Sequence, residues 1–212
     1  MTIQTNVENA SAEVASADIA GDTLADEELM LRYAQGDSEA FDLLFARHKR
    51  SVLAFIRGYI RSHDQAEDLM QTVFLRIIRN RNHYQAKARF TTWLFTIVRS
   101  VCIDVLRKEK NRGALRLIDG QLDENFQVER IQANEPTPRE AMHLASIEEA
   151  IHEAVAALPT EQREVLLLRE NTGLTFAEIA QLIGCGENTA KSRMYYAMTA
   201  LRRHLELRGI TA

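Results

Sequence analysis

Apolar residues in this chain recur at steps of three and four residues, which is the spacing of one face of an α-helix. After a helix-start signal at Asp37-Ser38, seven residues that can face a core follow this spacing: Phe41, Leu44, Phe45, His48, Val52, Phe55 and Ile56. Alternating strand patterns around Asn-Gly or Asp-Gly turns do not occur in the sequence. The pattern therefore predicts an all-α fold.

Two further helices are predicted before residue 112. The second predicted helix begins near Asp64, and its apolar side chains point inward: Ala66, Leu69, Val73, Phe74 and Ile77. The third predicted helix begins near Thr91 or Thr92, and its buried face is also apolar: Leu94, Ile97, Val98, Val101, Val105 and Leu106. It ends in a group of cations, which stabilise a helix C-terminus: Arg107, Lys108, Lys110 and Arg112.

The placement of charge and proline divides the chain. Net charge is -4 over residues 1–25, +5 over 26–112, -5 over 113–150 and zero over 151–212. Pro136, Pro138 and Pro159 all fall between periodic segments, where proline marks boundaries. We therefore predict two small helical domains, 26–112 and 141–212, joined by a flexible acidic linker at 113–140. An acidic tail at 1–25, without sustained apolar periodicity, is predicted to be disordered.

Composition excludes several classes of protein. Hydrophobic residues make up 46% of the sequence, as in soluble globular proteins, and no apolar run reaches the length of about 18 residues needed for membrane insertion. We expect a cytoplasmic protein with no direct membrane insertion. Cys102 and Cys185 lie far apart without the spacing of zinc ligands, so neither a metal nor another cofactor is expected. Neither Glu67-Asp68 nor Glu148-Glu149 has a supporting His or Lys, so we expect no catalytic residue and no enzyme.

The segment 175–205 has the spacing of a helix-turn-helix. Thr175 can cap a first helix, and Glu178, three residues later, completes a capping box. Gly184-Cys185-Gly186 then forms a short turn, since glycine accepts backbone angles that other residues resist. A second helix from about Glu187 buries residues at steps of four, three and four: Ala190, Met194, Ala197 and Leu201.

The other face of this second helix carries side chains suited to DNA. They can reach base edges or phosphates in a major groove: Asn188, Thr189, Lys191, Ser192, Arg193, Tyr195 and Tyr196. For any one of these residues, the alternative to DNA binding is a position on an ordinary solvent-exposed face. The capped first helix and the glycine turn favour DNA binding for the whole pattern.

Cations alternate with aromatic residues around the start of the third predicted helix: Arg79, Arg81, His83, Tyr84, Lys87, Arg89, Phe90, Trp93 and Phe95. This combination binds single-stranded DNA, because cations follow the backbone and rings stack on unpaired bases. We expect Trp93 to pack in the core, whereas Tyr84 and Arg89 are expected to be freer.

The second predicted helix has an acidic and amide face that would repel a phosphate backbone: Asp64, Gln65, Glu67, Asp68 and Gln71. Such a face suits a protein partner. A generic solvated face is the other interpretation, and composition does not separate the two.

Three segments, in this order, resemble successive signatures of extracytoplasmic-function sigma factors of the sigma-70 family. They are DQAEDLMQTVFLRI, RFTTWLFTIVRSVCIDVLRKEKNR and ALPTEQREVLLLRENTGLTFAEIAQLIGCGENTAKSRMYYAMTALRRHL. The resemblance covers residues from about 26 to 206 and implies two helical domains joined by a linker. It also implies a function, which is to bind core RNA polymerase and direct promoter-specific transcription initiation.

The resemblance implies roles for particular residues. Asp64, Glu67, Asp68 and Gln71 would dock on the clamp helices of the largest polymerase subunit. The segment 84–107 would recognise and melt the minus-ten element and bind the melted non-template strand, through Tyr84, Arg89, Trp93, Arg99, Ser100 and Arg107. The helix around 188–196 would read the minus-thirty-five element as double-stranded promoter DNA. The acidic linker would run toward the RNA exit path.

The chain departs from the family pattern at three specificity positions. Ser100 follows Arg99 where the family often has Asn, Tyr196 replaces a frequent basic residue, and Asn188 replaces a common Gly. The resemblance further implies an anti-sigma factor, often membrane-anchored, that would sequester the protein away from the nucleoid. The alternative, a dimeric helix-turn-helix regulator of an operator, explains only the last 60 or so residues.

Overall fold

The computed structural model describes residues 24–60, 65–116 and 138–210. These residues form eight α-helices and one short 3₁₀ turn, and no strand occurs among them. The helices are α1 (Asp26–Ala34), α2 (Ser38–Tyr59), α3 (Ala66–Asn80), α4 (Phe90–Arg116), α5 (Pro138–Ala157), α6 (Thr160–Thr172), α7 (Phe176–Ile183) and α8 (Glu187–Leu207). The all-α prediction is confirmed.

The first two predicted helices of the N-terminal half form where the sequence signals place them. The Asp37 side chain caps α2 by accepting hydrogen bonds from the backbone N–H groups of Glu39 and Ala40, at 3.1 and 3.3 Å. Val52, Phe55 and Ile56 on its apolar stripe are fully buried. In α3 the inward side chains are buried or packed against the core: Ala66, Leu69, Val73, Phe74 and Ile77.

Helix α1 was not predicted from periodicity. Its Asp26 carboxylate accepts a hydrogen bond from Arg47 at 2.8 Å and bonds to the His48 ring at 2.7 Å, which attaches α1 to α2. Burial alone would raise the pKa of Asp26, but the bonds from His48 and Arg47 hold the pKa below its ordinary value. The charged carboxylate thus serves as a structural contact.

Helix α4 begins at Phe90, one or two residues earlier than predicted. The backbone N–H of Phe90 donates to the Glu27 carboxylate at 2.6 Å, so α1 supplies the N-terminal cap that the local sequence lacks. The helix also continues past Arg112 to Arg116, into the segment predicted as linker. Most of that segment, residues 117–137, lies outside the described residues, as do residues 1–23 of the tail predicted at 1–25.

The C-terminal half is organised around a buried arginine. Arg163 on α6 is 8% exposed, and its guanidinium donates to the carbonyl oxygens of Val155, Ala156 and Leu158. These carbonyls lie at the end of α5 and in the turn after it, where backbone acceptors lack helical partners. Arg163 therefore fixes the corner between α5 and α6.

The two halves pack directly on one another through α2 and α6. Gly58 on α2 permits the approach, because a Cβ atom there would stand 2.5 Å from Cδ2 of Leu167. The Arg163 guanidinium also donates to the Tyr59 carbonyl across this interface, at 3.3 Å. The two domains were predicted from the sequence, whereas their mutual contact was not addressed there.

Candidate functional site

The predicted helix-turn-helix is present in α7 and α8. The Thr175 hydroxyl accepts from the backbone N–H of Glu178 at 3.3 Å, and the Glu178 carboxylate accepts from the backbone N–H of Thr175 at 2.8 Å. The Thr175 backbone bond is the main reason that the pKa of Glu178 lies below its ordinary value. This is the capping box that the sequence predicts.

The turn between the two helices uses only one of its glycines for an unusual backbone angle. Gly184 ends α7 in the left-handed region, at φ 74°. Gly186 has an ordinary φ of -75° at the N-cap of α8. Gly184 is therefore the residue that sets the direction in which α8 leaves α7.

Helix α8 presents its predicted DNA-facing side chains to solvent. Ala190 and Ala197 are buried, which turns the opposite face outward. The exposed residues are Asn188, Thr189, Lys191, Ser192, Tyr195 and Tyr196, while Arg193 is half-buried. The two tyrosine rings lie 5.6 Å apart and are 68% and 58% exposed, an unusual exposure for such large side chains. Lys191 pairs with Glu187 one turn earlier at 2.7 Å.

The aromatic residues around the start of α4 form one cluster. The Tyr84 ring lies 5.1 Å from Trp93 and 6.0 Å from Phe90, and Phe90 lies 5.8 Å from Trp93. Trp93 packs against the core, as expected. The expectation that Tyr84 is freer than Trp93 is wrong, since Tyr84 is only 6% exposed. Burial, followed by the nearby Glu27 and Asp26 carboxylates, raises the pKa of Tyr84 to about 12.

The remaining residues predicted to contact the minus-ten element lie along α4 and just before it. Arg89, Ser100 and Arg107 are exposed, and Arg99 is half-buried. Arg76 on α3 was not predicted as part of this surface, but it donates to the Ser100 hydroxyl at 3.3 Å and to the Asp104 carboxylate at 3.0 Å. Ser100 and Asp104 are four residues apart and therefore lie on one face of the helix, which is the local sign that both could bind the same side chain.

Arg89 and Arg99, which were both predicted to contact the minus-ten element, each lie close to a carboxylate of the C-terminal half. Arg99 donates from Nε to Glu164 on α6 at 2.5 Å, and the Tyr59 hydroxyl donates to the same carboxylate at 3.3 Å. Arg89 lies 3.8 Å from the Glu178 carboxylate on α7. Burial and then Glu164 raise the pKa of Tyr59, so its hydroxyl stays protonated as the donor. Neither pair was predicted from the sequence.

The acidic face of α3 is exposed at Gln65, Glu67, Asp68 and Gln71. Asp64 lies outside the described residues. Leu75 is 51% exposed and stands one turn beyond Gln71, which adds an apolar side chain to this face that the sequence analysis did not identify. A mixed acidic, amide and apolar surface of this kind is suited to a protein partner.

Two family descriptions match the two halves in order. "Sigma-70 region 2" matches residues 44–112, and "Sigma-70, region 4" matches residues 148–201. RNA polymerase sigma-H factor of Pseudomonas aeruginosa is 28% identical over 181 residues, which cover 85% of this chain and 94% of that protein. ECF RNA polymerase sigma-E factor of Escherichia coli is 28% identical over 178 residues, covering 84% and 93%.

Solved structures show the same fold. The sigma factor RpoE from Bartonella quintana, crystallised with the anti-sigma factor NepR, is 23% identical with a TM-score of 0.65. The alignment covers 78% of this chain and 96% of that one. CnrH, in complex with the cytosolic domain of CnrY, is 21% identical with a TM-score of 0.62, covering 87% and 99%.

Regions 2 and 4 together, on two helical domains with a helix-turn-helix in the second, define an RNA polymerase sigma factor. The chain belongs to the sigma-70 family, in its extracytoplasmic-function group. Its function is to direct transcription by RNA polymerase at promoters. Sigma factors are in general regulators of initiation rather than enzymes. Among the described residues, no helix is both long and apolar enough to cross a membrane.

Proposed function

We propose that α8 reads the minus-thirty-five element and that this helix carries the main sequence preference for duplex DNA. The observation that supports this most directly is the exposed face opposite Ala190 and Ala197. A recognition helix lies in the major groove with such a face toward the base edges. Asn188 and Lys191, near the N-terminus of α8, would contact bases. Tyr195 and Tyr196 would add apolar contacts. Tyr196 stands at a position where the family often has a basic residue.

The minus-ten element is assigned to the surface of α4 and the loop before it. Arg89, Ser100 and Arg107 are exposed there and would contact the melted non-template strand. Trp93 is half-buried and exposes part of its ring to solvent, whereas Tyr84 is buried and contacts the Trp93 ring. We therefore assign base stacking to Trp93 and give Tyr84 the role of supporting the Trp93 ring.

The exposed face of α3 is assigned to core polymerase, through Glu67, Asp68 and Gln71 together with Leu75. Asp64 is expected to extend this face. Two structurally similar chains were solved in complex with protein partners, one of which is an anti-sigma factor. We propose that this chain also has an anti-sigma factor, that it works in the cytoplasm, and that it has no enzymatic activity of its own.

In-vitro transcription from a genomic fragment library tests these assignments. Core polymerase with the purified chain is expected to give new transcript starts that share two upstream elements, which core polymerase alone does not give. If no specific start appears, but the chain alone shifts particular duplexes tightly, an operator-binding regulator would replace this proposal. Tight binding of the chain as a dimer to a palindromic duplex would support the operator-binding regulator.

Replacing Lys191 with alanine is expected to weaken binding to the minus-thirty-five duplex found in that assay. One lost phosphate or base contact should cost about 1–3 kcal/mol and reduce the slope of log affinity against log salt by about one. Binding is measured by fluorescence anisotropy at several salt concentrations. Arg203→Ala, an exposed cation near the other end of the same helix, is the control. Equal affinity and slope for wild type and Lys191→Ala would contradict the assignment.

A further inference from the structure

The exposed face of α8 changes in character along the helix. Its beginning is polar, because Asn188, Lys191 and Ser192 are exposed there. The next turn carries two aromatic rings instead, since Tyr195 is 68% exposed and Tyr196 is 58% exposed. Tyr195 follows Lys191 by four residues, so the rings continue the same face. A helix that reads DNA with this face would therefore present polar groups first and apolar groups second.

The two rings are not needed by the fold. They contact each other, with centroids 5.6 Å apart and planes at 72°, and Ala190 and Ala197 supply the buried side of this part of the helix. Neither tyrosine hydroxyl donates to another residue in the part of the chain that the structure describes. The Thr199 hydroxyl, one turn further on, donates to the Tyr195 carbonyl at 2.9 Å. This turn of α8 thus offers mainly ring surface to a partner.

The major groove of DNA offers one apolar group to such rings. Hydrogen-bond donors and acceptors make up most of its floor, and the C5-methyl group of thymine is the exception. A tyrosine ring cannot make the bidentate contacts by which arginine selects guanine and asparagine selects adenine. Contact between a ring and a thymine methyl group buries apolar surface on both sides. The rings are therefore complementary to thymine.

A phosphate contact is the other use for a tyrosine in a complex with DNA. Its hydroxyl donates a single uncharged hydrogen bond, whereas lysine and arginine add a full charge that the DNA backbone attracts. Arg202 and Arg203 are exposed further along the same helix and can meet that need. Two adjacent rings are not required to bind a phosphate. Contact with base edges is the use that accounts for both rings.

We propose that Tyr195 and Tyr196 select an A·T pair within the minus-thirty-five element by packing their rings against the thymine C5-methyl group. The proposal rests on the proposed function, because it takes α8 as the helix that lies in the major groove. It goes further by naming the base and the group on that base. A basic side chain at position 196, as the family often has, would favour guanine or a phosphate instead.

Helix geometry gives the position of this A·T pair in the element. Tyr195 lies four residues beyond Lys191, which is about 6 Å along the axis at about 1.5 Å per residue. Successive base pairs are about 3.4 Å apart, so this distance corresponds to about two base pairs for a helix that follows the groove. The thymine therefore stands about two pairs from the base or phosphate that Lys191 contacts.

Substitution of uracil for thymine removes the proposed contact alone, because uracil lacks only the C5-methyl group. The probe is the minus-thirty-five duplex found by in-vitro transcription, with each thymine of either strand replaced in turn. Fluorescence anisotropy measures the affinity of the full-length chain. We expect one or two positions at which uracil weakens binding about three- to fivefold, the effect of losing one buried methyl group. Equal affinity for all the uracil duplexes, or an element without any A·T pair, would overturn the proposal.

Two double variants show whether the tyrosine rings read that methyl group. Tyr195→Phe with Tyr196→Phe keeps both rings, so the uracil effect should remain. Tyr195→Ala with Tyr196→Ala removes the rings, so thymine and uracil duplexes should bind equally. Both side chains are exposed, and neither change should disturb the fold. A uracil effect that persists in the alanine variant would come from DNA shape, and it would refute the proposal.

5-Methylcytosine provides the reverse test at the same position. Cytosine paired with guanine, in place of thymine paired with adenine, should weaken binding because the methyl group is lost and the hydrogen-bonding pattern changes. A methyl group on the C5 atom of that cytosine should restore about threefold of the affinity for wild type and none for the alanine variant. Equal binding of the two cytosine duplexes by wild type would contradict a methyl contact.

Lys191→Ala separates failure of this proposal from failure of the function on which it rests. If Lys191→Ala weakens duplex binding while uracil has no effect, α8 reads the element but does not select thymine through its tyrosines. If neither Lys191→Ala nor the alanine double variant changes the affinity, α8 is not the duplex-reading helix. The assignment of α8 and the selection of thymine would then fail together.

Discussion

Replacing Phe55 with alanine will lower the free energy of unfolding by about 3–5 kcal/mol, the usual cost of truncating a buried phenylalanine. Phe55 is fully buried, and its ring lies 5.4 Å from Tyr59 and 5.5 Å from Phe95. It therefore joins α2 to α4 at the centre of the N-terminal half. Urea denaturation followed by circular dichroism measures the change.

Leu75→Ala is the control for this prediction, because Leu75 is half-exposed on α3. Its expected cost is below about 1 kcal/mol, as for a side chain that buries little area. Equal losses for the two variants would show that Phe55 does not lie in a closely packed core. Since Phe55 touches Tyr59, which binds Glu164, a secondary loosening of the domain contact is also expected.

Replacing Asp68 with arginine should reduce association with core polymerase at least tenfold. The substitution reverses the charge on an exposed face assigned to that partner, and opposed like charges at an interface cost several kcal/mol. The fold should remain intact. Asp68 lies in the first turn of α3, where loss of an acid costs about 0.3–1 kcal/mol through the helix dipole. Co-purification with core polymerase measures the association.

Glu170→Arg provides the same charge reversal on the C-terminal half, away from α3. Association with polymerase should be close to wild type for this variant. Normal recovery of polymerase with Asp68→Arg, at a thermal stability equal to wild type, would contradict the docking assignment of α3. Loss of polymerase with both variants would point to net charge as the cause.

The features that were predictable from sequence are those set by neighbours in the chain. The capping box of Thr175 and Glu178 depends on residues three apart, and the buried positions of α8 follow from helical spacing. The exposed face of α8 follows in turn, because burying Ala190 and Ala197 fixes the direction of every other side chain on that helix.

The features that were missed depend on residues distant in the chain. Tyr84 was expected in a free loop, but it is buried because Phe90 and Trp93 from the next helix fold over it. The cap of Phe90 comes from Glu27, 63 residues earlier. Nothing in the local sequence distinguishes Glu164 from other helix carboxylates, since its bond to Arg99 joins residues 65 positions apart. No local sequence pattern predicts such contacts between residues that are distant in the chain.

The arrangement around Arg163 has a consequence for how this chain can change over evolutionary time. Its bonds to Val155, Ala156 and Leu158 lie within the C-terminal half, and its bond to the Tyr59 carbonyl crosses to the other half. Separation of the two halves would therefore break the bond to Tyr59 but none of the three bonds that hold the α5–α6 corner. The α5–α6 corner can therefore persist while the residues that contact it from the N-terminal half change.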